Sequence, residues 1–440
     1  MPVRLGPCRP DICRLMPADS RLLSPVFDNR PLSRRETACR SCGSQSLHPV
    51  IDLGEAPLAD RLLSSEWDCR AEPRFPLAAV LCLECSLVQL TETVRPEVLF
   101  ADDYPYYSSV SRTVLSHARA NVEARLKERA LGRSSLVVEI GSNDGYLLKN
   151  YVAAGVTVLG VDPAEGPAKA ARAGRVDTIA EFFTVDLAAE ILQRRGAADI
   201  VHAANVLTHA ADPAGFARGV AALLKPDGIA VIEVPYLRDL VEGLQFDTIH
   251  HQHLCYFSLT ALDRLLRSGG LFANRVERHA IHGGSLRVFA AKQDQREDSV
   301  TDMLAEEETI GIASPGYFAS FAGDIAALRE KLVGLIADLR AKGHSVAAYG
   351  AAAKGAALLN ACGLGRHHLD FVADLSPHKQ GRLMPGIHLP IQPSEALFEE
   401  RPDFTLLLAW NFAEEIIAQQ GAYREAGGRF IMPLPDPRIV

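Results

Sequence analysis

The sequence has no uncharged apolar run of the roughly 18 residues that a membrane-spanning helix requires. Its opening residues carry several Arg and Pro but no apolar core of the signal-peptide type. Positive charge is not in excess either. With 46 Lys and Arg against 54 Asp and Glu, the formal net charge is -8. That balance excludes a general affinity for nucleic acid or an anionic membrane surface, while a local basic pocket for a phosphorylated ligand stays compatible with it. Cysteine is sparse, nine in 440 residues, which fits thiols or metal ligands in a reducing compartment better than a disulfide framework. The cytoplasm is the expected location. Short repeats and low-complexity tracts are missing as well.

What remains is an ordinary globular composition, 48% hydrophobic and 23% charged. The length suggests about three domains. Residues 1–36 lack sustained periodicity and are expected to form a poorly ordered leader, or an extension upstream of the true start. Residues 37–100 hold two CxxC pairs. A Tyr-rich loop and a helix starting near Ser111 follow, and then strands alternate with helices. Leu136–Ile140, Val156–Val161, Asp199–His202 and Ile229–Val234 read as strands, the last after a Lys225-Pro226-Asp227-Gly228 turn. A helical stretch over Ser299–Ala341, broken at Ser314-Pro315-Gly316, leads into a second cycle with strands at Ser345–Tyr349, Leu369–Ala373 and Thr405–Ala409. Such alternation implies largely parallel sheets covered on both faces.

Cys39-x-x-Cys42 and Cys82-x-x-Cys85 form the strongest local signal. Each pair makes a tight knuckle, and four converging thiolates give the closed tetrahedral shell of structural zinc. A redox CxxC is the weaker reading, because there are two pairs and no adjacent βαβ pattern. Cys69 lies between the pairs without a partner at knuckle spacing. Cys8 and Cys13 match no metal motif.

Val137-Val138-Glu139-Ile140-Gly141-Ser142-Asn143-Asp144-Gly145 ends a strand and opens a helix, with Asp162 at the end of the next strand. Gly141 and Gly145 let backbone approach a ligand closely, and Asp162 sits where an acid can hold two ribose hydroxyls. The pattern is E-x-G-x-x-x-G. An anion repels an anion, so Asp144 suits a donor with an amino group and a sulfonium better than a pyrophosphate. S-adenosylmethionine is therefore favoured over NAD, with Glu139, Gly141, Asn143, Asp144, Gly145, Asp162 and Asn205 as its expected site.

Three histidines fall within His250-His251-Gln252-His253, a density that points to an active site. A second zinc site on His250 and His253 is the rival, weakened by the sparse carboxylates nearby, Asp247 and Glu233. Gly350-Ala351-Ala352-Ala353-Lys354-Gly355 follows a strand and opens a helix, whose N-terminal amides and lysine can hold phosphate. It is not a P-loop, because the lysine precedes the last glycine. His378, Lys379 and Arg382 make a second small basic group. His282, Gly283 and Ser285 are further candidates for substrate contact.

In these stretches the chain resembles the sugar C-methyltransferase family. The resemblance covers about residues 37–440. It rests on the two CxxC pairs, Tyr104-Pro105-Tyr106-Tyr107-Ser108, the Glu139–Gly145 loop, Phe246–His253, His282–Ser285, Tyr349–Gly355 and Asp374–Gly381. It implies a class I methyltransferase Rossmann-like core over residues 101–298. A zinc-binding module over 37–100 would precede it, and a C-terminal Rossmann-like α/β domain over 299–440 would follow. It implies methyl transfer from S-adenosylmethionine to a carbon beside the ketone of a nucleotide-linked, dTDP-type, keto-deoxysugar held between the last two domains. That carbon reacts only after losing a proton, so a base and a partner for the enolate oxygen are needed. By this resemblance His253 is the base, at an unperturbed pKa of about 6.5. His209, His250 and Tyr104 then bond to the ketone or orient the base. Gln252, His282, Gly283, Ser285, Lys354, His378 and Lys379 contact the nucleotide sugar. The family segment usually reads Tyr-His-Glu-His, so His250 and Gln252 replace a phenol and a carboxylate. Oxygen or nitrogen methylation on the same frame, or a non-catalytic donor- or nucleotide-sugar-binding protein, are the other readings. A monomer is the expected state.

Overall fold

A computed structural model describes residues 31–64, 72–99 and 105–440. Tyr104, Cys8, Cys13 and Cys69 lie outside these. Ordered pairing starts earlier than the expected end of the leader, because Ser33–Arg35 pairs antiparallel with Glu92–Val94.

Arg74–Cys82 alternates exposed Arg74 and Pro76 with buried Phe75, Leu77, Ala79 and Leu81, the period-2 pattern of a strand with one face on the core. It sits between Leu47–Pro57 and Val88–Leu90 in an antiparallel sheet of four. The fourth strand comes from far along the chain. Cys255–Tyr256 pairs with Val88–Leu90, directly after the histidine segment.

The middle sheet has seven strands in the order Phe272–His279, Ser285–Ala291, Leu224–Pro235, Ala198–Ala204, Leu136–Ile140, Thr157–Val161, Thr178–Ile179. Only Ser285–Ala291 runs against its neighbours. Every residue of Leu136–Ile140 is buried, as a strand covered on both faces demands. The chain order reverses on either side of this strand, which opens a crevice at its carboxyl end. The expected Lys225–Gly228 turn is an irregularity inside one strand. Leu224 pairs with Ala198, and the ladder resumes at Ile229 opposite Ile200.

A third sheet of six strands, Ile391–Pro393, Val372–Asp374, Val346–Tyr349, Phe404–Leu407, Arg429–Met432 and Arg438–Ile439, is parallel except at its last strand. Helices Asp298–Ile310 and Phe321–Ala341 precede it. They are separated at the expected break by a short 3-10 turn, Pro315–Phe318. One continuous apolar core runs from Cys39 and Leu81 through Val138 and Phe257 to Val346 and Leu434. Among the described residues no helix is long and apolar enough to cross a membrane.

Candidate active site

The four knuckle sulfurs lie within 4.8 Å of one another. Cys39 and Cys85 are 3.4 Å apart at sulfur, and Cys42 and Cys82 are 3.6 Å apart. Zn–S bonds of about 2.3 Å in a tetrahedron set sulfurs about 3.8 Å apart, so the quartet fits zinc and leaves no position open for chemistry. The two knuckles repeat one backbone shape. Gly43 and Ser86, each just past its second cysteine, have φ of 77° and 65°.

Gln89 joins this centre to the histidines. Its side chain accepts from the Arg40 amide at 2.7 Å and donates to the Ala38 carbonyl at 3.0 Å. Its backbone pairs with Cys255. Leu90 donates to the Leu254 carbonyl, and His251 donates from Nε2 to the carbonyl of Pro76 at 3.2 Å. His251 therefore serves the knuckle module, and its neighbours face the other way.

A cavity of about 540 Å³ brings together the donor loop, the histidines and the C-terminal unit. Of the residues expected at the site, Gly141, Asn143, Asp162, Asn205, His209, His250, His253, His282 and Lys354 line it. Glu139, Asp144, Gly145, Gln252, Gly283, Ser285, His378 and Lys379 do not. Gln252 lies behind the wall and accepts from His250 Nδ1 at 3.0 Å. Lys379 is internal. Its ammonium donates to the Ala351 carbonyl at 2.9 Å and faces Asp374 at 3.8 Å, which removes it from any diphosphate. His378 stacks on Tyr107, ring centroids 4.2 Å apart.

The loop glycines answer to packing. Gly141 has φ of +71°, and a Cβ there would meet Val206 at 2.8 Å. At Gly145, with φ of +78°, it would meet Val176 at 2.9 Å. Asp162 braces the turn from outside by accepting from the amides of Asn143 at 2.8 Å and Ala164 at 2.9 Å. Asp144 accepts from the Ser109 amide and hydroxyl. Glu139 is fully buried, and both its oxygens lack a partner among the described residues. Burial, then the charges of Asp162 and Asp144, push its carboxyl well above the ordinary range. A cation beside this acid group relieves that repulsion, so the loop fits a sulfonium donor with an amino group and opposes a pyrophosphate.

At the histidine segment, the His253 ring lies tilted by 34° against His250 with centroids 4.1 Å apart and meets His209 edge-on at 5.0 Å. His253 Nδ1 lies 2.8 Å from the Thr248 carbonyl. A carbonyl only accepts, so Nδ1 carries the hydrogen and Nε2 of the neutral ring is left as the acceptor. The unperturbed basicity expected for His253 is not what the structure shows. Burial, then the neighbouring imidazoles, hold it well below 6.5. Burial takes His250 to about 3 and His209 to about 4.

A third group on the wall is not evident from local motifs. Glu233 lies at the carboxyl end of its strand and is contacted by His117 Nε2 at 2.9 Å and by Arg287 Nε at 2.9 Å. Burial raises its pKa, but His117 and Arg287 outweigh burial and bring it to about 2. The signal available was the one used for Asp162, an acid ending a parallel strand.

The fold and the cavity define a class I S-adenosylmethionine-dependent methyltransferase with a knuckle-type zinc module. Family models agree along the chain: a zinc binding domain over residues 39–100, a methyltransferase domain over 114–272 and a C-methyltransferase C-terminal domain over 280–435. The chain is 41% identical to C-methyltransferase NovU of Streptomyces niveus over 405 residues, 91% of this chain and 96% of that one. It belongs to the C-methyltransferase family, with S-adenosylmethionine and zinc as its cofactors. Among solved structures, an S-adenosylmethionine-dependent methyltransferase of Thermotoga maritima is 18% identical. It aligns over 44% of this chain and 96% of its own with a TM-score of 0.34. Magnesium protoporphyrin IX methyltransferase of Synechocystis with bound S-adenosylmethionine is 16% identical over 42% and 81%, with a TM-score of 0.32.

Proposed function

We propose that the chain methylates the carbon beside the ketone of a nucleotide-linked keto-deoxysugar, carried on dTDP, in the cytoplasm. The observation that supports this is one cavity lined both by His253, whose Nδ1 is held by the Thr248 carbonyl, and by the donor loop. Carbon needs a base before it can attack, whereas a hydroxyl or amine needs less help, and three imidazoles around one wall suit the harder task.

In this reading Gly141, Asn143, Asp162 and Asn205 hold the donor directly. Glu139, Asp144 and Gly145 act from behind, as negative charge and as the turn itself. Bound there, S-adenosylmethionine supplies an electrophilic methyl group. His253 Nε2 takes the proton from carbon, the Thr248 carbonyl holds the ring's tautomer, and His250 and His209 wall the base from water. Gln252 acts on substrate only through His250, where the related segments carry a carboxylate. His282 contacts the sugar, with Gly283 and Ser285 shaping its turn. Residues 299–440 close the cavity over the nucleotide. The protein acts as a monomer in this reading.

The test is incubation with ¹³C-methyl donor and a panel of dTDP-linked keto-sugars, read by NMR. A new methyl on carbon supports the proposal. A methyl on oxygen or nitrogen, or no transfer to any member, overturns it.

A further inference from the structure

Removing a proton beside a ketone leaves charge on the ketone oxygen, and that charge needs a hydrogen-bond donor already in place. The adjacent imidazoles of His253 and His250 are poorly suited to that role. His253 and His250 each use Nδ1 as a donor, to the Thr248 carbonyl and to Gln252 Oε1. As neutral rings both offer only an acceptor to the cavity.

Lys354 reaches the same cavity from the C-terminal unit. Its ammonium donates to the His282 carbonyl at 3.1 Å and lies 4.8 Å from the centre of the Trp410 ring. One of its three hydrogens is thus engaged. Trp410 in turn donates from Nε1 to Asp247 at 2.7 Å, and Asp247 lies in the histidine segment itself. The helix Ala353–Cys362 that bears the lysine packs against the 3-10 turn Phe246–Thr248. The lysine is therefore held in a fixed relation to the base.

A phosphate role suits Lys354 less well. The amides at the start of its helix already face acids. Asp374 accepts from the Ala351 amide at 2.7 Å, and Asp60, which lines the cavity, accepts from the Ala353 amide. The amides that could have held a phosphate are thus occupied by carboxylates, whose charge Lys379 offsets.

We infer that Lys354 is a catalytic residue, the cation that receives the enolate oxygen when His253 takes the proton. The inference rests on the carbon-methylation reading. The C–H bond breaks, its proton passes to His253 Nε2, and its electron pair moves through carbon to the oxygen facing Lys354. That pair then forms the carbon–methyl bond as the donor's sulfur–methyl bond breaks onto sulfur. Lys354 gains and loses no electrons, and its positive charge also favours the neutral, proton-accepting form of His253.

The test uses the full chain, zinc-loaded, with the dTDP-linked keto-sugar from the panel that the wild type methylates. Lys354→Met and Lys354→Gln are compared with Lys354→Arg, and S-adenosylhomocysteine binding reports that each is folded. Loss of one stabilising donor costs about 100-fold or more in kcat. The neutral variants should show that loss with KM for the nucleotide sugar within about threefold of wild type, and Lys354→Arg should recover at least about tenfold. Having two neutral variants leaves one to decide if the other fails to fold. Wild-type kcat with a raised KM would make Lys354 a phosphate ligand and overturn the inference, as would full activity. A wild-type chain that methylates no member of the panel overturns the sugar reading and this inference together.

Discussion

The Thr248 carbonyl oxygen lies 2.8 Å from His253 Nδ1 and so fixes which nitrogen of that ring can accept a proton. Four residues separate donor and acceptor, and three of them are His250, His251 and Gln252. His253→Ala should therefore remove the base without disturbing the donor loop. A general base contributes about 10²–10⁴-fold. Turnover should fall by that order while S-adenosylhomocysteine affinity, measured by calorimetry, stays within about threefold.

The depressed basicity of the buried histidines predicts how activity and stability respond to acid. The acid limb of kcat/KM reports the free enzyme's base, and burial holds His253 well below 6.5. That limb should therefore lie on the acid side of an ordinary histidine's 6.5. For stability the sign follows from proton uptake. In the unfolded chain these imidazoles bind protons as pH drops through about 6.5, whereas in the folded chain His209 waits until about 4 and His250 until about 3. Their contribution is complete above pH 6.5 and is lost as pH falls toward those values. At pH 5 one such group costs about 2 kcal/mol. Tm should fall steeply between pH 6.5 and pH 4.5, and the fall should be shallower in His209→Gln.

Zinc removal should damage catalysis through the sheet. Cys82 ends the strand Arg74–Cys82, which pairs with Val88–Leu90, and that strand pairs with Cys255–Tyr256 directly beyond His253. Cys82→Ser or chelation should lower Tm and turnover together. Binding of S-adenosylhomocysteine to the middle sheet should persist, since Gly141 and Asp162 follow strands of a different sheet from the one that carries Cys82. Calorimetry and thermal melts on the same samples check both.

Much of this was legible in the chain because it is local. The knuckles follow from a two-residue spacing, and the donor loop from a buried strand, a turn and Asp162 one strand later. The helix from Ser111 is marked by its cap, where the Ser111 hydroxyl accepts from the Val114 amide. What was not legible depends on tertiary pairing. Cys255–Tyr256 is a two-residue strand whose partner lies in the zinc module. His251 looks like its neighbours in sequence and is turned away by a carbonyl 175 residues earlier. Lys379 reads as a free cation until Asp374 and Ala351 are folded against it. The low basicity of the histidines comes from burial, which a short motif does not display.

Glu139 supplies a prediction about the donor. Its carboxyl is pushed up by burial and by Asp162 and Asp144, so it is protonated more readily than an ordinary glutamate before a cation arrives. Binding S-adenosylmethionine should release a proton. Calorimetry in buffers of different ionisation enthalpy should detect this release in the wild type and lose it in Glu139→Gln. The variant should bind the cationic donor at least about tenfold more weakly, a difference of about 1.4 kcal/mol. Its affinity for uncharged-sulfur S-adenosylhomocysteine should drop less.

The measurement that bears most directly on carbon methylation by a histidine base is solvent exchange at the substrate's acidic carbon. The full chain is held in D₂O with S-adenosylhomocysteine and a dTDP-linked keto-sugar it methylates, so that no methyl is available. The proton beside the ketone should be replaced by deuterium in the wild type, and at least about 100-fold more slowly in His253→Ala. Exchange at the wild-type rate in the variant, or none in an active wild type, would contradict the account.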